Sequence, residues 1–141
     1  MTLKLKIFSI GRPKEQWIEE GVKEYSFRLK SFLKVDFVWL KDYRKLFSFL
    51  EKESRVICLD PSGKLMDSQR FSEEIFQHFQ IGGARLAFVI GGAEGLPESF
   101  KSRYPLISLS PLTFTHQMTR LILIEQIYRA FEISRGSSYH K

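Results

Sequence analysis

The sequence predicts an α/β fold with a mainly parallel sheet and helices on both faces. Three observations predict it. Short apolar runs without alternation, VICL at 56–59 and LAFVI at 86–90, suit strands buried on both sides. Segments with apolar residues at helical spacing alternate with these strands. Two polar loops, one glycine-rich and one rich in Ser, Thr and Pro, follow the last two strands. Strand ends of this kind are where an open α/β sheet places a ligand.

The elements follow in order. Leu3, Leu5 and Ile7 alternate with Lys4 and Lys6, giving a first strand that ends near Ile10. Gly11, Arg12 and Pro13 break it, and Pro13 suits a helix start. Trp17, Ile18, Val22, Tyr25 and Leu29 then recur at helical spacing. KVDFVWL at 34–40 is a second strand, and 42–52 a short helix carrying Leu46, Phe47, Phe49 and Leu50. Residues 55–59 form a buried strand, and Asp60, Pro61, Ser62 and Gly63 a turn. Asp67 or Ser68 caps a helix to about Phe79, which Gly82 and Gly83 end. The strand at 86–90 leads into Gly91-Gly92-Ala93-Glu94-Gly95. Pro97 opens a short helix ending near Arg103. Residues 106–109 are the last strand, and Thr115 caps a final helix to about Ser134. With no repeat, linker or low-complexity segment, residues 1–141 read as one domain.

Composition narrows the function classes. Hydrophobic residues make up 43% of 141, and 13 Phe supply large core side chains, so the chain is not a disordered segment. The net charge of +6 favours an anionic partner such as RNA, although no Lys/Arg run is long enough for a dedicated tail. Cys58, the single cysteine, lies in an apolar run and reads as an inert buried thiol. The N-terminus has no signal-peptide core, and no apolar stretch reaches the ~20 residues that span a bilayer. A cytoplasmic protein with no membrane partner is expected. No Cys/His cluster has metal-ligand spacing, so no metal is expected.

The loops and the tail carry the candidate chemistry. GGAEG lets a ligand approach the backbone closely, yet it is neither the dinucleotide fingerprint nor a P-loop. It reads equally as a tight turn. The loop at 109–114 offers hydroxyls and backbone groups beside apolar surface, which suits a flat amphipathic ligand; simple helix capping is the plainer alternative. The final helix is apolar over more than half its circumference, which fits either burial within the chain or self-association. His78 reads as solvated. His116 stands at a helix start, where the dipole disfavours its protonated form. Arg120, Arg129 and Arg135 are expected to project from the last helix. His140, beside Tyr139 and Lys141, is otherwise a frayed end.

Together, IGGAEGL at 90–96, LSPLTFTHQMTR at 109–120, LIEQIYRAF at 123–131 and YHK at 139–141 resemble the RlmH-type large-subunit ribosomal RNA methyltransferases of the SPOUT superfamily. The resemblance covers essentially the whole chain, and its 109–141 stretch is highly specific. It implies a SPOUT-type fold with a C-terminal trefoil knot, a rare exception to ordinary chain topology. It implies methyl transfer from S-adenosylmethionine to N3 of pseudouridine 1915 in 23S rRNA of the assembled ribosome, by a homodimer. By matching motif, the cofactor would lie against Leu59, Gly91, Gly92, Leu109, Ser110, Pro111, Leu112, Thr113 and Phe114. Catalytic roles fall to His140, Tyr139 and Arg120, and RNA contacts to His116, Arg135 and Lys141. The tail would reach the partner subunit's cofactor. One departure is a short 42–54 connection, expected to trim a peripheral helix and leave the cofactor loops alone.

In such a reaction the enzyme positions the nucleophilic nitrogen and assists loss of its proton. His140 is the candidate base, and Arg120, Arg135 and Lys141 candidate phosphate contacts. A non-catalytic RNA-binding module, a methyltransferase of another RNA site, and a nucleotide hydrolase remain as rivals; the last lacks a phosphate-gripping lysine at the glycine loop.

Overall fold

A computed structural model describes residues 2–141, in which strands and helices alternate throughout. The order is β1 (Leu3–Ile10), α1 (Gln16–Leu29), β2 (Leu33–Leu40), α2 (Leu46–Leu50), β3 (Val56–Leu65), α3 (Ser68–Ile81), β4 (Arg85–Ile90), α4 (Glu98–Arg103), β5 (Leu106–Ser108) and α5 (His116–Ser134). The strands form one sheet in the order β2-β1-β4-β3-β5, every neighbouring pair parallel. Parallel neighbours need crossover connections, and the helices supply them.

The strand residues alternate between two apolar layers. Leu5, Ile7, Ile57, Leu59, Leu86, Phe88 and Ile90 face a layer covered by α1, α3 and α5. Phe8, Ile10, Val56, Cys58, Ala87 and Val89 face a second, smaller layer under α2 and α4. Central strands buried on both sides explain why their sequences read as unbroken apolar runs. Cys58 is fully buried, and that burial pushes its thiol up to about 12, so it is inert.

Helix starts follow local chemistry. The Asp67 carboxylate accepts from the Arg70 N–H at 2.8 Å, and the Thr115 hydroxyl accepts from the Met118 N–H at 3.2 Å. Ser68, the other capping candidate, instead donates to Gln126 of α5 at 2.7 Å. The first helix begins at Gln16 rather than Pro13. The Lys14 N–H is drawn to Gln117 Oε1 at 3.3 Å, and Gln117 Nε2 donates to the Arg12 carbonyl at 2.9 Å. The 12–14 segment is therefore tied to α5 instead of continuing α1.

Three further expectations change. Residues 60–63 do form a local turn, with the Asp60 carboxylate accepting from the Ser62 N–H and hydroxyl. The strand then resumes: Leu59 and Lys64 both pair with Ile107, so the turn is a bulge inside β3. A Cβ on Gly63 would lie 2.6 Å from the Ile107 nitrogen, so only glycine fits there. The helix at 42–52 shrinks to five residues, because Asp42 caps a turn through the Arg44 N–H instead. His78 is buried, not solvated, and its Nδ1 accepts from Arg55 Nε at 2.9 Å.

The last helix lies between α1 and α3, and no residue from 116 to 133 is fully exposed. Burial within the chain accounts for most of its apolar girth. Phe131 stacks on Phe32 and meets Phe76 and Phe79 edge-on. Phe131→Ala should destabilise the chain by about 3–5 kcal/mol through the cavity it leaves, and Phe131→Leu by clearly less. Urea unfolding of the two variants measures both.

Candidate active site

The loops at the carboxyl ends of β1, β3, β4 and β5 surround a cleft of about 880 Å³. Its walls come from residues 14, 15, 17, 18, 59–61, 90–93, 95, 96, 108–110 and 112–119. The volume suits a cofactor-sized ligand. Leu59, Ile90, Leu96, Leu109, Leu112, Phe114 and Met118 make the walls largely apolar. Among the described residues, Lys14 is the only lysine or arginine lining them. A polyphosphate would find little to hold it here, which removes the support for a nucleotide hydrolase.

Of the nine cofactor-contact residues expected from sequence, eight line this cleft: Leu59, Gly91, Gly92, Leu109, Ser110, Leu112, Thr113 and Phe114. Pro111, exposed, does not. Ser110 shapes its own loop: its hydroxyl accepts from the Leu112 N–H at 2.9 Å, and its carbonyl accepts from the Ser108 hydroxyl at 3.1 Å. Leu112 is 73% exposed at the rim.

The glycine loop is a narrow turn in which Gly92 and Gly95 face each other as an antiparallel bridge. Gly95 has φ +85°, a backbone conformation that side-chain-bearing residues rarely adopt. Tyr43 braces the turn. Its hydroxyl accepts from the Gly92 N–H at 2.9 Å and donates to the Gly95 carbonyl at 2.7 Å. The 42–54 connection therefore touches the glycine loop.

His116 and Arg120 start α5, and only His116 lines the cleft. The His116 ring lies beside Gly11 and hydrogen-bonds through Nε2 with Gln117 Nε2 at 3.3 Å. Arg120 does not project. It is 0% exposed, and it donates to the Ser9 hydroxyl at 2.8 Å, to Gln117 Oε1 at 2.9 Å and to the Gly11 carbonyl at 2.5 Å. Its guanidinium also lies 4.0 Å from the Trp39 ring centroid. Burial draws it down to about 10. It holds the end of β1 against the start of α5 and offers nothing to a phosphate.

The tail lies elsewhere. The Tyr139 hydroxyl donates to Glu125 at 2.7 Å, and its ring meets Tyr128 edge-on and the Arg129 guanidinium at 4.8 Å. Arg129 Nη1 stands 3.1 Å from His140 Nδ1. Thr119 is the last residue of α5 on the cleft, and Glu125 lies six residues beyond it, which puts the tail's anchor about 9 Å along α5 from the cleft. Tyr139, His140 and Lys141 thus do not join the cleft of their own chain. Arg135 is paired with Glu132, whose carboxyl is held down to about 2 chiefly by that guanidinium and by the Tyr128 hydroxyl.

Sequence reading missed Tyr43 and Gln117. Their partners lie 49 to 105 residues away, and nothing local marks either side chain.

Two predictions follow from these contacts. Arg120→Met leaves Ser9, Gln117 and the Gly11 carbonyl without their donor, and should cost about 3 kcal/mol. The salt dependence of RNA binding should stay unchanged; a shallower salt slope would return Arg120 to the phosphate contacts. Burial, chiefly, holds His78 and His116 below the ordinary histidine range, with Arg55 and Arg120 adding repulsion. Below about pH 6.5 the unfolded chain therefore binds protons that the folded chain refuses. The stability these groups contribute is complete above that pH and is lost as pH falls through their folded values. Urea midpoints should drop between about pH 7 and pH 5, and drop less in His78→Gln.

Comparisons with known proteins agree with this architecture. Residues 3–140 match the family model described as a predicted SPOUT methyltransferase. A ribosomal RNA large subunit methyltransferase H from Protochlamydia amoebophila is 54% identical over 139 residues, covering 99% of both chains. One of the same name from Geotalea daltonii is 34% identical over 152 residues, covering 98% of this chain and 99% of its own. Among solved structures, a probable methylase family protein from Haemophilus influenzae superposes with a TM-score of 0.61 at 12% identity, over 99% of this chain and 70% of its own. A putative methyltransferase from Legionella pneumophila, solved in complex with the bound cofactor SAM, gives 0.52 at 14% identity, over 92% and 66%. These two likenesses are of fold. The full-length family match and the 54% identity establish that the chain belongs to the SPOUT methyltransferase family.

Proposed function

We propose that this chain methylates N3 of pseudouridine 1915 in 23S rRNA of the assembled ribosome, using S-adenosylmethionine and acting as a homodimer. The observation that carries the reading is the cleft at the strand ends, formed by the two loops that mark the family, in a chain 54% identical to a ribosomal RNA large subunit methyltransferase H. The chain acts as one domain, since both apolar layers share a single sheet. The reading includes the C-terminal knot. It is supported by the β4-β3-β5 order, which carries the 91–105 connection across β3 on the face of α4 before α5 returns on the other face.

The cleft fits the cofactor chemically. A sulfonium donor is cationic, and on the largely apolar walls the Glu15 and Asp60 carboxylates offset the single lysine, Lys14. Leu59, Leu109, Leu112 and Phe114 would hold its flat apolar part, and the backbones of Gly91 and Gly92 would let it approach closely. Bound there, S-adenosylmethionine supplies the methyl group for in-line displacement.

The remaining roles belong to side chains. The tail of one chain is held on α5 about 9 Å beyond its own cleft and lines none of it, so Tyr139 and His140 complete the cleft of the partner in the dimer. Trp17 and Leu112, at 56% and 73% exposure beside the cleft, provide apolar surface for that association. A guanidinium only donates, so Arg129 makes His140 Nδ1 an acceptor. The neutral ring then carries its proton on Nε2. In that state His140 donates to a carbonyl flanking N3 and stabilises the negative charge there as the N3 proton passes to solvent water. It can act as base through Nδ1 only after releasing Arg129. His116, Arg135 and Lys141 contact RNA.

Calorimetry should show S-adenosylmethionine binding with about one site per chain; no binding would favour a non-catalytic RNA-binding module. Deleting residues 139–141 should lower methyl incorporation into ribosomes by at least about a hundredfold, while cofactor binding changes by less than about threefold. Normal turnover by the truncated chain would remove the tail from the active site.

A further inference from the structure

The two-residue turn Ala93-Glu94 closes on itself in an unusual way. In an antiparallel bridge two backbone hydrogen bonds would link Gly92 and Gly95. One is present, from the Gly95 N–H to the Gly92 carbonyl at 3.0 Å. The other is replaced by a side chain: the Gly92 N–H donates to the Tyr43 hydroxyl, which donates on to the Gly95 carbonyl. The direction is forced, since an amide only donates and a carbonyl only accepts. A single hydroxyl thus spaces the two arms of the turn one oxygen apart.

Tyr43 is itself held from behind. Its ring meets Phe100 of α4 at 5.8 Å between centroids, and both belong to the smaller apolar layer. A Cβ on Gly91 would lie 2.9 Å from the tyrosine oxygen. The hydroxyl therefore also limits what can stand at Gly91, at the point where β4 opens into the cleft. The same bonds occupy the Gly92 N–H and the Gly95 carbonyl, so neither is offered to a ligand.

We propose that Tyr43 is a positioning residue for cofactor binding: by bridging Gly92 and Gly95 it holds the glycine wall of the cleft in its ligand-ready shape. The inference rests on the reading of this cleft as the S-adenosylmethionine site. Tyr43 acts through the backbone of the loop and touches neither substrate nor the reacting atoms. It comes from the connection between β2 and α2.

The test uses the full-length protein, with Tyr43→Phe keeping the ring on Phe100 and removing only the bridge. The variant should raise the calorimetric Kd and the KM for S-adenosylmethionine by about tenfold. Its kcat at saturating cofactor and its KM for ribosomes should stay within about twofold. Amide hydrogen exchange in the free protein should accelerate at Gly92 without a general loss of protection. A second variant, Gly91→Ala, should weaken cofactor binding in the Tyr43 background and weaken it less in the Tyr43→Phe background, where the hydroxyl no longer obstructs the methyl. Unchanged cofactor affinity in Tyr43→Phe, beside normal binding by the unsubstituted protein, would overturn the positioning role alone. A fall in affinity matched by faster exchange across the whole sheet would also overturn it, as a general stability effect. Absence of cofactor binding by the unsubstituted protein would overturn both this role and the function on which it rests.

Discussion

The buried guanidinium of Arg120 is the constraint on which the cleft depends. Its three nitrogens donate to the Ser9 hydroxyl, the Gln117 amide oxygen and the Gly11 carbonyl, and Trp39 covers its face. This one group fastens the end of the interior strand β1 to the start of α5. Gln117 extends the tie to residues 12–14. The start of α5 is a wall of the cleft, as is the segment beginning at Lys14. A charge is costly to bury, and here it is satisfied by hydrogen bonds and an aromatic face, with the Glu19 carboxylate adding attraction. Such a node earns its place by fixing two elements whose loops must meet a ligand together.

The other walls are set by backbone devices. The bulge in β3 swings Asp60 and Pro61 toward the cleft, then returns the chain to pair again with Ile107. The glycine turn after β4 is held by the Tyr43 hydroxyl. Ser110 folds the 109–114 loop on itself. The cleft is thus pre-formed by contacts within the chain, which lowers the ordering cost of binding. The tail is likewise pre-formed, on Glu125, Tyr128 and Arg129, but away from its own cleft.

The strands and most helix bounds were legible because burial on two faces leaves a direct mark. Val56, Cys58, Ile57 and Leu59 alternate between two apolar layers, so the run reads as uninterrupted apolar sequence. Asp67 and Thr115 announced their helices through side-chain capping. Asp60-Pro61-Ser62-Gly63 has turn chemistry and makes a turn, yet its inclusion in a strand depends on β5, more than forty residues on. The burial of Arg120 depends on partners 109 and 111 residues away. No local pattern separates it from an arginine on a solvated helix face. The cleft residues were legible as two polar loops, and their assignment to one ligand came from family resemblance, which the family match then supported. The tail alone has no local signature of function; its ordered contacts with α5 appear only in three dimensions.

The central claim is that this chain modifies one nucleotide of the large ribosomal subunit. The most direct measurement is mass spectrometry of 23S rRNA fragments from a strain lacking the gene, with and without this chain restored. The fragment containing pseudouridine 1915 should lose one methyl group in the deletion strain and regain it on complementation. Full methylation of that fragment without the chain, or a missing methyl at a different nucleotide, would contradict it.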